Sequence, residues 1–219
     1  MSGAGGLHYD RYASTEWLLR IGDADAPPVL FLAPLFEELN RTRALIVATM
    51  RRLATSGFGC WLPDLPGTGE SERALETMRW EDWREAARLA AAHIGRRPVV
   101  VTMRGGCLLD EAIDALARYR FAPVQGASLA RDLARSGMIS GGAAGGYALG
   151  DALLARLKEA EPLATEQVRT ARLASDPAPA DIKFGGPALW RRSEPGNAPD
   201  LAHGLADDIG GWVAQCDIF

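Results

Sequence analysis

One stretch near the middle of the chain, from Pro98 to Gly106, constrains the fold more than any other. It reads P-V-V-V-T-M-R-G-G, and its run of β-branched residues at 99–102 predicts a buried strand, because strands covered on both faces are continuously apolar. Two glycines follow, and the apolar spacing over residues 107–119 predicts a helix with Leu109, Ile113 and Leu116 facing inward. A strand, a tight turn and a helix in this order indicate an α/β sheet.

The same alternation of strands and helices continues on both sides of this stretch. Further strands are predicted at residues 14–21, at an edge, at 29–33, in the centre, and at 58–62, 121–124, 168–175 and 189–192, the last at the other edge. Helices are predicted from about residue 41 to 57 and at 78–94, 127–136, 149–161 and 199–216, with a mobile glycine-rich loop at 137–146. The pattern predicts an α/β fold with a mostly parallel sheet and helices on both faces.

Length and composition limit the architecture and the classes of partner. A chain of 219 residues buries one good core, so we expect a single domain over residues 1–219, with a reduced cap or lid as a small insertion at 126–165. A net charge of -4 without a basic stripe argues against nucleic acid. Neither a membrane span nor a signal peptide is visible, and three cysteines without metal spacing fit a reducing compartment. We expect a cytoplasmic protein without a metal or cofactor.

The turn after the central strand has the frame of a nucleophile elbow. In the G-x-S-x-G motif of α/β-hydrolases, a serine sits on a strained turn at the top of the sheet. Here the frame reads T-M-R-G-G, and Arg104 takes the place of the serine. A guanidinium stays protonated and cannot attack a carbonyl, which excludes acyl transfer through this position. A cation at a helix N-terminus calls for an anionic partner, and Glu37 or Glu38 is the candidate.

Backbone donors near Arg104 predict a binding site. In this fold the loop after the 29–33 strand supplies one N–H group to an oxyanion hole, and the residue after the nucleophile supplies the other. Those donors would lie at Leu35, Phe36 and Glu37 and at Gly105. Together with Arg104 they predict that a carboxylate or phosphate of a small ligand binds here. Acid–base chemistry by Glu37 or Glu38 is the alternative.

A complete catalytic triad is not visible. The acid would be Asp176, after a late strand, but the loop before the last helix, residues 193–197, contains no histidine. His203 lies further on, inside the helix pattern, where an exposed helix histidine is the simpler interpretation. Cys107 is expected to be a buried, inert thiol, whereas Ser71 and Asp64 are expected to order the loop at 63–71.

Three motifs carry a resemblance to a known family. They are A-P-L-F-E-E-L-N-R at residues 33–41, L-P-D-L-P-G-T-G-E-S at 62–71 and T-M-R-G-G at the elbow, with a fainter continuation in P-A-L-W at 187–190. The chain resembles the second branch of the exosortase A system-associated hydrolases, in which arginine commonly replaces the elbow serine. The resemblance implies an α/β-hydrolase fold and a place beside bacterial exopolysaccharide and protein-sorting systems.

Three functions therefore stay open at this point. The first is a catalytically altered or non-catalytic protein that binds an anionic small molecule or a partner protein at the old active-site face. The second is an esterase-like hydrolase with a non-standard site, and the third is a structural partner in envelope export. The sequence also leaves homodimer formation open.

Overall fold

An eight-stranded sheet forms the centre of the molecule. The structure is a computed structural model that describes residues 6–13, 15–135 and 149–216, so the glycine-rich stretch at 137–146 lies outside the described residues. The sheet order is β1-β2-β4-β3-β5-β6-β7-β8, antiparallel at the first two pairings and parallel at the others. The strands are β1 (Leu7–Ala13), β2 (Glu16–Ile21), β3 (Pro28–Leu32), β4 (Gly59–Pro63), β5 (Val99–Met103), β6 (Ala117–Phe121), β7 (Val168–Leu173) and β8 (Ile182–Phe184).

Five helices cover the two faces of this sheet. They are α1 (Glu37–Thr55), α2 (Trp80–Ile94), α3 (Gly126–Arg135), α4 (Asp151–Glu159) and α5 (Pro199–Gln215). Apolar side chains of α1 and α5 pack on one face, and those of α2, α3 and α4 pack on the other. Strand β5 alternates between the layers, since Val99 and Val101 belong to the first and Val100 to the second. The predicted α/β class, with a mostly parallel sheet and helices on both faces, is confirmed.

Both edges of the sheet differ from the prediction. The strand predicted at residues 14–21 is β2, but it is not an edge, because β1 pairs with its outer side and includes His8. The stretch predicted as the last strand is a 3-10 turn, Leu189–Arg191, and β8 forms the edge instead. Leu189 and Trp190 are buried, so their apolar character reflects packing in a turn rather than in a strand.

The helix predicted at residues 107–119 is wrong. Two 3-10 turns, Arg104–Leu108 and Asp110–Ala112, replace it, and β6 begins at Ala117 rather than at residue 121. Of the three residues predicted to face inward, Leu109 and Ile113 are buried and Leu116 is partly buried. Tight turns with a three-residue period give these side chains the same spacing as a helix, so apolar periodicity alone could not separate the two.

A buried ion cluster explains why the sequence pattern predicts the start of β6 four residues too late. Its sequence A-R-Y-R-F brings two arginines into a strand whose residues are all buried. Arg120 binds the fully buried carboxylate of Asp110 with two hydrogen bonds, 2.8 and 2.9 Å long. Arg118 donates to the backbone carbonyls of Asp110 and Ile113, at 3.2 and 2.8 Å. Asp110 and these carbonyls compensate the burial of two cations, which the sequence pattern did not indicate.

The loop between β4 and α2 is ordered as predicted. The Ser71 hydroxyl accepts hydrogen bonds from the N–H groups of Gly67 and Arg73, at 2.9 and 3.2 Å. The Asp64 carboxylate accepts one from the Glu70 N–H and pairs with Arg43. These side chains therefore have structural partners. Across the described part of the chain, no helix combines the length and the apolar character that a membrane crossing requires.

Candidate functional site

The elbow has the strained geometry of a nucleophile turn. Arg104 follows β5 directly and has a φ of 52°, in the left-handed region that side chains other than glycine seldom adopt. The next two positions need glycine, because a Cβ on Gly105 would lie 2.7 Å from Leu129 Cδ2 and one on Gly106 would lie 2.5 Å from the Leu32 carbonyl oxygen. The turn thus places the Arg104 side chain where a catalytic fold places its serine.

Arg104 forms a largely buried ion pair with Glu38, as the sequence predicted. Its Nε lies 3.2 and 3.1 Å from the two carboxylate oxygens, and its Nη2 lies 2.9 Å from Oε1. Each side chain is only 12% exposed, and Asp132 approaches Nη2 at 3.9 Å. Burial raises the pKa of Glu38, although the charge and hydrogen bonds of Arg104 oppose this rise. The carboxylate is therefore held in place by one cation at a considerable desolvation cost.

An aromatic ring lies against the Arg104 guanidinium. Arg104 Cζ is 5.0 Å from the centroid of the Trp190 ring, within the range of a cation–π interaction. Trp190 lies in the connection between β8 and α5, and Arg41 Nη1 donates to its carbonyl oxygen at 3.1 Å. A triad histidine is expected on this connection. Here the connection brings the indole of Trp190 to the elbow, where it forms a cation–π pair with Arg104.

An open cavity of about 340 Å³ lies over these residues. Four arginines and three carboxylates give its lining a net positive charge, and apolar side chains complete the wall; the residues are Phe36, Glu37, Glu38, Arg41, Arg104, Leu129, Asp132, Leu133, Arg135, Trp190 and Arg191. Arg135 and Arg191 are exposed, whereas Arg104 and Glu38 are mostly buried. The cavity is therefore large enough for a small organic ligand and has a cationic bias.

Two buried hydrogen-bond donors in this wall have no acceptor among the described residues. Arg41 Nε and Trp190 Nε1 are buried and unpaired, and Trp190 as a whole is only 7% exposed. Arg104 uses Nε and Nη2 for Glu38, and its Nη1 donates to none of the described residues. Unpaired buried donors are costly, and Arg41 and Trp190 both line the cavity beside Arg104. The site is short of acceptor oxygens.

The loop before α1 contributes backbone strain as well. Phe36 precedes the helix with φ 60° and ψ -142°, and Glu37 and Glu38 form the first turn, where acidic residues complement the helix dipole. Among the five residues predicted to bind ligand, Arg104, Phe36 and Glu37 line the cavity, whereas Leu35 and Gly105 lie packed against each other beneath it. Ligand binding by these residues stays a prediction.

The remaining triad candidates are not brought to the elbow. Asp176 follows β7, where its carboxylate accepts hydrogen bonds from Arg172 and the Ala178 N–H. Partial burial acts to raise the pKa of Asp176, but these two partners outweigh it and the pKa is lowered. His203 is exposed on α5 and does not line the cavity. Cys107 is fully buried, and burial raises the pKa of its thiol to about 12, so it is inert as predicted.

Metal ligation has no support in the described part of the chain, where no group of three or more histidine, cysteine, aspartate or glutamate side chains could hold an ion. Sequence reasoning also missed seven wall residues, of which Arg41, Asp132 and Trp190 make direct contacts within the Arg104 cluster. A signal existed for two of them, since Arg41 ends the first family-like motif and Trp190 ends P-A-L-W. Asp132 lies on α3, and nothing in its sequence context indicated that this helix brings it to the elbow.

The chain is similar to known proteins in fold but not in sequence. No protein-family profile and no curated protein sequence matches the chain. Among solved structures it is similar to mouse alpha/beta hydrolase domain-containing protein 10, at 12% identity and a TM-score of 0.64 over 96% of this chain and 99% of that chain. A loop variant of haloalkane dehalogenase from Bradyrhizobium elkanii gives 13% identity and a TM-score of 0.64, over 97% of each chain.

A thioesterase domain from the curacin biosynthetic pathway is also similar, at 13% identity and a TM-score of 0.60, over 94% of this chain and 99% of that domain. The chain has the α/β-hydrolase fold. At these identities the likeness concerns architecture alone, so activity must be argued from the elbow and its cavity.

Proposed function

We propose that this α/β-hydrolase-fold protein binds a small anionic ligand in the Arg104 cavity and does not hydrolyse esters through an elbow nucleophile. The observation that carries the proposal is a cavity lined by the Arg104 guanidinium and by Arg41 and Trp190, whose buried Nε and Nε1 donors have no acceptor among the described residues. A ligand that supplies acceptor oxygens and negative charge would satisfy these donors, and carboxylates and phosphates do both.

Backbone strain at the elbow supports the same proposal. A glycine at position 104 would adopt the left-handed conformation without cost, yet the chain has a large side chain there at φ 52°. Strain of this kind costs about 1 kcal/mol or more and is concentrated at functional sites. We infer that the side chain is kept at the elbow for its interactions in the cavity.

Calorimetric titration of the purified protein with sulfate, phosphate and acetate tests the proposal, with acetamide as a neutral ligand of similar size. We expect the three anions to bind and acetamide not to bind, because only the anions offer charged acceptors. Equal binding of acetate and acetamide, or no binding of any anion, would refute it. An Arg88→Gln variant serves as a charge control, since Arg88 lies outside the cavity and pairs only with exposed Glu85.

A working hydrolase is the second candidate, and one observation favours it. Burial raises the pKa of Glu38, which brings its carboxylate closer to the range of a general base that activates water. Turnover of p-nitrophenyl acetate that disappears in Glu38→Gln but persists in Glu85→Gln would support this candidate. Absence of turnover in the unmodified protein would remove it.

Restoring the serine should not restore acyl transfer. In Arg104→Ser we expect no burst of p-nitrophenol, because no histidine lines the cavity and Trp190 occupies the connection that would supply one. Stopped-flow absorbance at stoichiometric enzyme measures the burst directly. A burst of about one equivalent of product per protein would show that another group serves as the base.

Anion binding should be coupled to protonation of Glu38. A bound anion would lie near a carboxylate whose charged neighbours are Arg104, Asp132 and Arg41, and whose pKa is already raised by burial. Protonation removes the like charge, so sulfate affinity should increase as the pH falls from 8 toward 5, a range in which sulfate keeps its charge.

Glu38→Gln should bind sulfate about tenfold more tightly at pH 8, the equivalent of about 1.4 kcal/mol, and should lose most of the pH dependence. Calorimetry at matched pH values compares it with Glu85→Gln, which should behave like the unmodified protein because Glu85 lies on the exposed side of α2. An unchanged pH profile in Glu38→Gln would contradict the coupling.

The biological setting rests on the motifs alone. We propose an association with exopolysaccharide or exosortase systems because residues 33–41, 62–71 and 102–106 resemble the corresponding family motifs. A partner role in envelope export would use the same fold as a rigid platform. Deletion of the gene, followed by measurement of secreted exopolysaccharide, tests this setting, and complementation with Arg104→Gln separates a role of the cavity from a role of the scaffold.

A further inference from the structure

Strand β1 presents a free edge with exposed apolar side chains. It pairs with β2 on one side only, and it is the terminal strand of the sheet. Leu7 is 46% exposed and Tyr9 is 53% exposed, and these two are among only three large apolar side chains in the described residues that are exposed to this degree. The other edge, β8, has three residues and partly buried apolar side chains, so it offers far less pairing surface. An unpaired edge of this length is a template for another strand.

We propose that β1 pairs antiparallel with β1 of a second copy of this chain, about a two-fold axis at Tyr9. Residues opposite each other in such a pair must lie on the same face of the sheet, so the axis must pass through a residue and not between two residues. An axis at Tyr9 places Tyr9 opposite Tyr9, His8 opposite Asp10 and Leu7 opposite Arg11.

Charge complementarity selects this register over its neighbours. An axis at Asp10 or at Arg11 would place like charges directly opposite each other, which is destabilising, and an axis at His8 would place Asp10 opposite Gly6, which has no side-chain donor. The Tyr9 register instead gives an aromatic pair and two His8–Asp10 pairs, in which an imidazole N–H can donate to a carboxylate. It uses residues 7–11 and ends before the irregular pairing between Arg11 and Ala13.

The apolar side chains also fall on one face in this arrangement. Tyr9 lies opposite Leu19 and Leu7 lies opposite Ile21 in the pairing with β2, and both of those partners belong to the core layer beneath α1 and α5. Two-fold pairing would bring Leu7 and Tyr9 from both copies together as a continuation of that layer. Arg11 would keep its contacts with Glu72 and Trp17, and its aliphatic stem would face Leu7 of the other copy.

Disulfide trapping tests both the interface and its register. In a Cys216→Ser background, where the remaining cysteines are buried, Tyr9→Cys should oxidise to a covalent dimer, because directly opposite Cα atoms lie about 4.5–5.5 Å apart. His8→Cys and Asp10→Cys should stay monomeric, since each would lie about 8 Å from its own copy, too far for a disulfide. Non-reducing electrophoresis and intact mass measure the yield.

Sedimentation velocity of the unmodified protein provides a second measurement that needs no new cysteine. It should show a concentration-dependent dimer that is lost in Tyr9→Asp, which places two carboxylates opposite each other, and kept in Glu85→Asp, which retains the charge of an exposed side chain paired with Arg88. A monomer at every concentration, a dimer unaffected by Tyr9→Asp, or cross-linking that is equal at positions 8, 9 and 10 would overturn the proposal.

Discussion

Replacement of Arg104 by glutamine should reduce sulfate affinity by roughly 100-fold. The change removes a charge-assisted donor worth about 1.5–3 kcal/mol, and it leaves the Glu38 carboxylate in the cavity without its counter-ion, where it repels an anion. Glutamine keeps a neutral amide donor but is two bonds shorter than arginine, so the change removes the charge together with the terminal guanidinium donors. Calorimetry at constant ionic strength measures the affinity, and circular dichroism checks that the fold is kept.

Two further variants serve as controls for this result. Arg88→Gln removes the same charge from an exposed site and should leave sulfate affinity unchanged. The double variant Arg104→Gln/Glu38→Gln should recover any stability lost through the unpaired carboxylate, and it should recover only the part of the affinity, about tenfold, that repulsion by Glu38 removes. Sulfate binding in Arg104→Gln equal to that of the unmodified protein would place the anion elsewhere.

Replacement of Asp110 by asparagine should destabilise the fold by about 3–5 kcal/mol. Asp110 is fully buried and binds Arg120 with two hydrogen bonds, and Arg118 Nε lies 3.7 Å from the same carboxylate. Removal of one partner of a buried pair leaves an uncompensated charge in the interior, which is more costly than the loss of the contact itself. Urea denaturation, followed by tryptophan fluorescence, measures the change in the free energy of unfolding.

Asp114→Asn is the matched control for this prediction. Asp114 is two residues beyond the second 3-10 turn and also pairs with an arginine, but its side chain is 79% exposed, so little stability should be lost. A replacement Arg120→Leu combined with Asp110→Leu should recover part of the loss, because it removes both charges of the Arg120 pair and leaves Arg118 with its two backbone carbonyl acceptors. Equal destabilisation by Asp110→Asn and Asp114→Asn would contradict the role assigned to burial.

The main lines of the fold and the elbow could be predicted because they depend on local rules. Residues 99–102 are continuously apolar, which indicates a strand that is covered on both faces. The two glycines after Arg104 allow the backbone to approach Leu129 and the Leu32 carbonyl closely, so residue type alone indicates the turn. The pairing of Arg104 with Glu37 or Glu38, at the start of the neighbouring helix α1, followed from the cost of an unpaired cation at that position.

The parts that could not be predicted depend on long-range partners. Strand β6 contains Arg118 and Arg120, and their burial makes sense only once Asp110 is known to lie against them. Trp190 was predicted in a strand because its apolar character does not tell whether an indole packs in a sheet or against a guanidinium. In both cases the contact that determines the structure joins residues that lie apart in the sequence, and local patterns do not show that they meet.

The most direct test of the anion-binding elbow is a crystal structure of the unmodified protein soaked with selenate, with anomalous data collected at the selenium edge. We expect one anomalous peak in the cavity, with selenate oxygens within hydrogen-bonding distance of Arg104 and with Trp190 still stacked on the guanidinium. An empty cavity at a selenate concentration that saturates binding in solution, or a peak bound only outside the cavity, would contradict the account.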